Sequence, residues 1–164
     1  MNPCKRLKYL GYSIVFQEVP NEISLAINIS GCPYKCKGCH SSYLWEYNGP
    51  YISDDIDSLI DSNLQFITCV CFFGGDQNVE ELYELLKLTK EKYKLKTCLY
   101  SGKDSMKALA KLFTVLDYIK IGSYKKDLGG LDSPNTNQRM YRIENEGKLI
   151  DITDIFQNKR RIDL

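Results

Sequence analysis

The stretch Phe66-Ile67-Thr68-Cys69-Val70-Cys71-Phe72-Phe73, closed by Gly74-Gly75-Asp76, decides the fold. A short, nearly unbroken apolar run of this kind suits a strand buried on both faces of a parallel sheet. Working downstream, Val79 to Lys94 carries apolar residues at 82, 85, 86 and 88 among Glu and Lys, the pattern of an amphipathic helix. A strand over Lys96–Tyr100, a helix over Asp104–Phe113 and a strand over Tyr118–Ile121 follow. Strand–helix alternation at this spacing implies βαβ units, right-handed crossovers and a parallel sheet.

Upstream, Ser13 to Glu18 reads as a strand that turns at Pro20-Asn21 into Ile23–Ile29, where Ile23, Leu25, Ile27 and Ile29 alternate with Ser24, Ala26 and Asn28. Residues 31–50 hold three cysteines, several glycines and a proline near each end, a loop in composition. Asp54 to Asn63 reads as a helix with Ser53 as its N-cap. Residues 123–138 form a glycine-rich polar loop. Met140–Asn145 and Lys148–Ile152 make a terminal hairpin around Glu146-Gly147, and a charged tail runs from Gln157 to Leu164. The expected fold is α/β, with four or five parallel strands, an N-terminal strand extension and a C-terminal hairpin. It is expected as a single domain over residues 1–164, with its core at about 13–153.

Composition removes several classes. With 164 residues the chain is too short for a complete eight-fold β/α barrel of ~250 residues. Hydrophobic residues make up 43% and charged residues 26%, which excludes disorder as the main state. Lys and Arg total 22 against 21 Asp and Glu, so no basic surplus points to nucleic acid. No apolar run approaches the ~18 residues of a membrane span, and the N-terminus lacks a signal-peptide pattern. Seven cysteines and one histidine, in a chain with no export signal, point to a reducing cytoplasm and to thiols that bind metal or react.

Cys32, Cys36 and Cys39 supply the sharpest motif, a Cys-x3-Cys-x2-Cys spacing inside SGCPYKCKGCHSS. Three thiols within eight residues, in a loop after a strand, converge on one centre without long-range folding. A structural zinc site wants four ligands; His40 could be the fourth, but it adjoins Cys39, and neighbouring residues rarely reach one small ion together. Three thiolates and one vacancy suit a 4Fe–4S cluster with an open iron. The alternatives are reduced loop thiols, or zinc completed by Cys4, Cys69, Cys71 or Cys98. Cys69 and Cys71 share one face of their strand and read as core packing, Cys98 as another buried strand thiol, and Cys4 as incidental. Tyr43 and Trp45 read as packing for the cysteine loop.

The Cys32-x3-Cys36-x2-Cys39 loop after an early strand resembles the signature of the radical S-adenosylmethionine enzymes. That resemblance implies an incomplete β/α barrel and a cluster whose open iron binds S-adenosylmethionine. It also implies reductive cleavage of the sulfonium to a 5′-deoxyadenosyl radical. Gly74-Gly75-Asp76 is similar to that family's Gly-Gly-Glu motif, with Asp76 for the glutamate and Gln77 where a proline is common. Read alone, this triplet is more often a strand-to-helix turn with an acidic residue near a helix N-terminus. The resemblance makes Gly38, Cys39, His40, Gly74, Gly75, Asp76 and Ser101 the cofactor contacts. Ser101 alone reads equally as a turn serine, and Lys120 as a residue of the mouth or a lysine reaching out to solvent.

Within that family, ISGCPYKCKGCHS, VCFFGGD, CLYSG and GSYKKDLGGLDSPNTNQRMYRI resemble successive segments of the small activating proteins of anaerobic ribonucleoside-triphosphate reductases, over about residues 13–153. The resemblance implies hydrogen abstraction from a glycine Cα of the reductase, its protein substrate, with a flavodoxin-like electron donor. It leaves open an activase of another glycyl radical enzyme and a non-enzymatic metal-binding module. Asn137-Gln138-Arg139 is placed near the partner or the ligand mouth, or as a turn into the next strand.

Overall fold

The structure is a computed structural model that describes residues 5–157. Cys4 and all of the charged tail after Gln157 lie outside the described residues. Seven strands form one open mixed sheet whose spatial order follows the chain: β1 (Tyr9–Val15), β2 (Ser24–Ile29), β3 (Cys69–Phe73), β4 (Lys96–Tyr100), β5 (Tyr118–Ile121), β6 (Arg139–Ile143) and β7 (Leu149–Asp151). Strands β2 to β5 are mutually parallel, giving the four central strands that the alternation implies. β1 is antiparallel on one edge and the β6–β7 hairpin antiparallel on the other. Two longer helices, α1 (Ile52–Asn63) and α2 (Val79–Tyr93), cross between parallel strands, and a short α3 (Asp154–Gln157) follows β7. No helix is long and apolar enough to cross a membrane among the described residues.

Each parallel strand sorts its side chains by a period of two. Val70 and Phe72 of β3, Leu99 of β4 and Ile119 of β5 face the helices and join Ile56, Ile60, Leu82 and Leu86 in the main core. The opposite face holds a second core of small and polarisable side chains, including Cys69, Cys71, Cys98, Tyr118 and Met140. Register stacks that face in rows. Ala26, Cys71, Cys98 and Tyr118 lie side by side across β2–β5, and Asn28, Phe73, Tyr100 and Lys120 form the next row toward the strand C-termini. α1 and α2 pack on one face, the lower rows of the other are covered by Val19, Leu131, Ile152 and Phe156 of α3, and the upper row lies at the strand ends.

Several local expectations shift. β1 starts at Tyr9 rather than Ser13, because Gly11 at φ +82° absorbs an irregularity between Tyr9 and Tyr12 and lets pairing continue. β1 also stops at Val15 and β2 starts at Ser24, leaving 16–23 to the turn in which Asn21 has φ +64°. α1 begins at Ile52, so Ser53 sits inside the first turn and accepts from Arg6 Nη2 at 2.8 Å instead of capping the helix. The expected helix over 104–113 is a 3-10 helix over Lys107–Thr114. Its apolar residues Met106, Leu109 and Leu112 recur every three residues, which lines them up on a helix of three residues per turn. α2 keeps its expected extent: the Asn78 side chain accepts from Glu81 N at 3.2 Å, and Lys94 ends it at φ +56°.

Candidate metal and cofactor site

A cavity of about 410 Å³ opens at the C-terminal ends of β2–β5, the ligand-binding edge of parallel α/β sheets. Its floor is the upper sheet row of Asn28, Phe73, Tyr100 and Lys120. One wall is the loop after β2, which presents Cys32, Cys36 and Cys39. The facing wall comes from the turns after β3 and β4, with Gly74, Asp76 and Ser101.

The cysteine loop is anchored at both ends. Cys32 N donates to Leu44 O at 2.9 Å, and Ser30 Oγ donates to Asn48 O at 2.5 Å. Within it Cys39 N donates to Cys36 O at 3.1 Å, and Ser41 N donates to Cys39 Sγ at 3.4 Å. Burial pushes the Cys32 thiol up, and backbone N–H groups of Tyr34 and Lys35 pull in the other direction. All three thiols are free and partly buried. Among the described residues, no three histidine, cysteine or acidic side chains are drawn tightly enough to grip a single metal ion. A cubane takes each thiolate on a separate corner iron, so its ligand sulfurs stand further apart than those around one tetrahedral ion. Three soft thiol donors from one loop, on one cavity wall, are the donor set an iron–sulfur cluster takes. Cys69, Cys71 and Cys98 are fully buried in the lower rows of the sheet and are not gathered with the triad.

The facing wall is tied to the loop by Asp76. This carboxylate is 4% exposed. It accepts from Tyr34 Oη at 2.9 Å and from the Ser101 hydroxyl. Tyr34 lies between the first two cysteines, so one carboxylate joins the cysteine loop to the ends of β3 and β4. Ser101 Oγ also accepts from Lys103 N at 3.0 Å, which fixes the turn. Gln77 donates through Nε2 to Ser30 O at 3.0 Å and accepts from Gly75 N at 3.1 Å. Lys120 is 8% exposed and donates to Gly122 O at 2.7 Å. Desolvation lowers its pKa from 10.5 to about 8, against the opposing pull of Cys36, Asp104 and Asp76.

Of the other sequence candidates, His40 is exposed and also lines the cavity, with its ring 5.8 Å from that of Tyr124. Gly38 and Gly75 are not on the lining. Gly38 lies against Lys126 and Tyr124, and Gly75 lies behind the wall against Leu82 and Leu7. Trp45 lines the cavity, whereas Tyr43 is 55% exposed. Gln138 lines the cavity and donates to Gly122 O at 3.3 Å; the neighbouring Asn137 donates to Ser123 O at 3.0 Å, and Arg139 is exposed. Tyr34 and Gln77 lack an advance signal in their motifs. Tyr100 and Lys120 had one: each stands two residues after an inward side chain, Cys98 or Tyr118.

With three thiols on one cavity wall, comparison with known families is informative. The 4Fe–4S single cluster domain family matches residues 23–141, well over half of the chain. The chain belongs to this family. The match spans β2, the cysteine loop and all of β3 to β5, so the single-cluster domain coincides with the parallel part of the sheet. No curated protein and no solved structure matches the chain.

Proposed function

We propose that this single-cluster protein is a radical S-adenosylmethionine activase that generates a glycyl radical on an anaerobic ribonucleoside-triphosphate reductase. Its open sheet then serves as an incomplete β/α barrel of the kind those enzymes use. The observation that carries the reading is the single cavity in which Cys32, Cys36 and Cys39 face Gly74, Asp76, Ser101 and Lys120. When bound there, a 4Fe–4S cluster with S-adenosylmethionine supplies reductive cleavage of the sulfonium and a 5′-deoxyadenosyl radical able to take a hydrogen atom from a glycine Cα.

The chain's own residues bind, orient and exclude water. Gly74, at φ +91°, leaves its backbone open to close approach by a ligand. Lys120 brings a cation to the cavity floor, where a methionine carboxylate would offset the desolvation of its ammonium. Asp76 holds Tyr34 and Ser101, so it sets the spacing between the cysteine loop and the facing wall. Phe73 and Tyr100, packed edge to face at 4.8 Å, form with Leu44 and Trp45 an apolar lining that keeps water from a reactive carbon radical. The open strand ends leave room for a polypeptide substrate to close the site.

Anaerobic reconstitution tests this in two stages. The wild type with dithionite and S-adenosylmethionine should release 5′-deoxyadenosine, and Cys36→Ala should fail to hold the full cluster. Mixing with an anaerobic ribonucleoside-triphosphate reductase should then give a glycyl doublet by electron paramagnetic resonance. No 5′-deoxyadenosine, or an intact cluster in Cys36→Ala, would overturn the enzymatic reading. A doublet only with a different glycyl radical enzyme would overturn the partner.

A further inference from the structure

A second cavity, of about 350 Å³, shares Cys32, Trp45 and Gln77 with the first as a common wall. The rest of its lining is unlike the first. It contains Lys5, Arg6 and Lys35, with Tyr47, and no aspartate or glutamate. The cations nearby are held over aromatic rings. Lys5 Nζ lies 5.1 Å and Lys8 Nζ 4.8 Å from the ring centre of Tyr47, and Lys8 and Arg6 stand 5.0 and 4.0 Å from that of Tyr51. Among the described residues, Arg6 alone of these four has a carboxylate at ion-pair distance, Asp54 at 2.5 Å. A ring positions an ammonium without neutralising it. Asp54 and Glu81 act on Arg6, so the unpaired positive charge of this face rests on Lys5, Lys8 and Lys35, beside one of the triad cysteines.

From this geometry we propose that the face formed by Lys5, Arg6, Lys8 and Lys35 is where an acidic one-electron carrier protein docks to reduce the cluster. The inference rests on a cluster held by Cys32, Cys36 and Cys39, and not on what that cluster then does. The family matched holds one cluster, and reducing it takes an electron from outside that domain. Cys32 is the triad residue that lines both cavities, and it offers the route from this surface. One electron leaves the carrier's reduced flavin or iron–sulfur centre and enters the cluster; the carrier is oxidised by one electron, the cluster is reduced by one, and no bond in the chain changes. Docking here leaves the first cavity, with the facing wall of Asp76 and Ser101, open to a substrate.

Charge complementarity of this kind acts on the association rate, by ~10-fold to 10³-fold, and fades with salt. The test follows cluster reduction by stopped-flow absorbance in the reconstituted protein, with photoreduced acidic flavodoxin as donor. The triple variant Lys5→Glu, Lys8→Glu, Lys35→Glu should be reduced at least ten-fold more slowly at low ionic strength and should lose the decline with added salt. A matched triple, Lys87→Glu, Lys96→Glu, Lys148→Glu, whose residues line neither cavity, should keep the wild-type profile. Photoreduced deazaflavin, small and uncharged, should reduce all three proteins at one rate. Equal slowing in both triples, or an unchanged rate and salt dependence in the first, would overturn the proposal. If the first triple takes up less iron, Lys5→Glu alone should show a smaller slowing of the same sign, and no slowing there would overturn it. A failed cluster assignment is visible separately, as missing iron and absorbance before donor is added.

Discussion

Replacing Lys120 by methionine should stabilise the protein before any cofactor is loaded. The ammonium is 8% exposed, and desolvation lowers its pKa from 10.5 to about 8. A lysine whose folded pKa is lowered carries a penalty for staying charged on folding. The penalty is full below pH 8 and disappears above 10.5, since the unfolded chain binds the extra proton in between. A displacement of that size corresponds to about 3 kcal/mol at pH 7 and about 1.5 kcal/mol at pH 9.5. Methionine removes the penalty and fills similar space. It also strips the Lys120 donor from Gly122 O, a loss of about 1 kcal/mol, tempered because Gln138 Nε2 still donates to that carbonyl at 3.3 Å. The net expectation is about 2 kcal/mol of added stability at pH 7, shrinking to near zero by pH 9.5. Urea unfolding of the reduced apoprotein at the two pH values measures both numbers. A variant less stable than wild type at pH 7, or a gap that widens with pH, would refute the reasoning. The same variant should bind S-adenosylmethionine at least ten-fold more weakly, by about 1.4 kcal/mol or more, if Lys120 receives its carboxylate.

Three further outcomes follow from particular contacts. Tyr34→Phe removes the hydroxyl that donates to buried Asp76, and should lower apoprotein stability by about 1–2 kcal/mol while the reconstituted cluster's paramagnetic spectrum broadens. Gly102→Ala would place a Cβ 2.7 Å from Tyr34 Cδ2, so it should displace the same ring and lower the thermal midpoint with a ΔΔG of about 1–3 kcal/mol. Asp117→Ala removes the acceptor of Lys90 Nζ at 2.7 Å and of Thr97 N at 2.9 Å, and should cost about 2–3 kcal/mol by urea unfolding, with little effect on iron content.

What could be read in advance follows a physical division. The parallel strands were legible because a two-residue alternation or a short apolar run leaves few other ways to bury Val70, Phe72, Leu99 and Ile119. The cysteine loop was legible because its ligands are local in sequence. The 3-10 helix was not, since apolar residues at 106, 109 and 112 are compatible with either helix until packing selects the period. The extent of β1 was hidden by Gly11, which reads as a breaker and instead carries the irregularity of an edge strand. The Tyr34–Asp76–Ser101 contact was beyond reach for another reason. Its members are 42 and 25 residues apart, and nothing in their local sequence says that a loop after β2 will meet turns after β3 and β4.

The cysteines show how one residue type does two jobs in so small a domain. Cys69, Cys71 and Cys98 sit in lower rows of the sheet with no exposure, and burial pushes the Cys69 and Cys98 thiols upward. Neutral thiols suit these fully buried positions, where a charge would go unsolvated. Cys32, Cys36 and Cys39 lie one storey higher in a loop, partly open, with backbone N–H groups aimed at Cys32 and Cys39 sulfurs. Such donors stabilise thiolates and tune the iron they bind. Height in the sheet separates the two sets: the lower rows of this face are covered by Val19, Leu131, Ile152 and Phe156. The small thiols fill the lower rows beneath that cover, and the upper row of Asn28, Phe73, Tyr100 and Lys120 serves as the floor of the site.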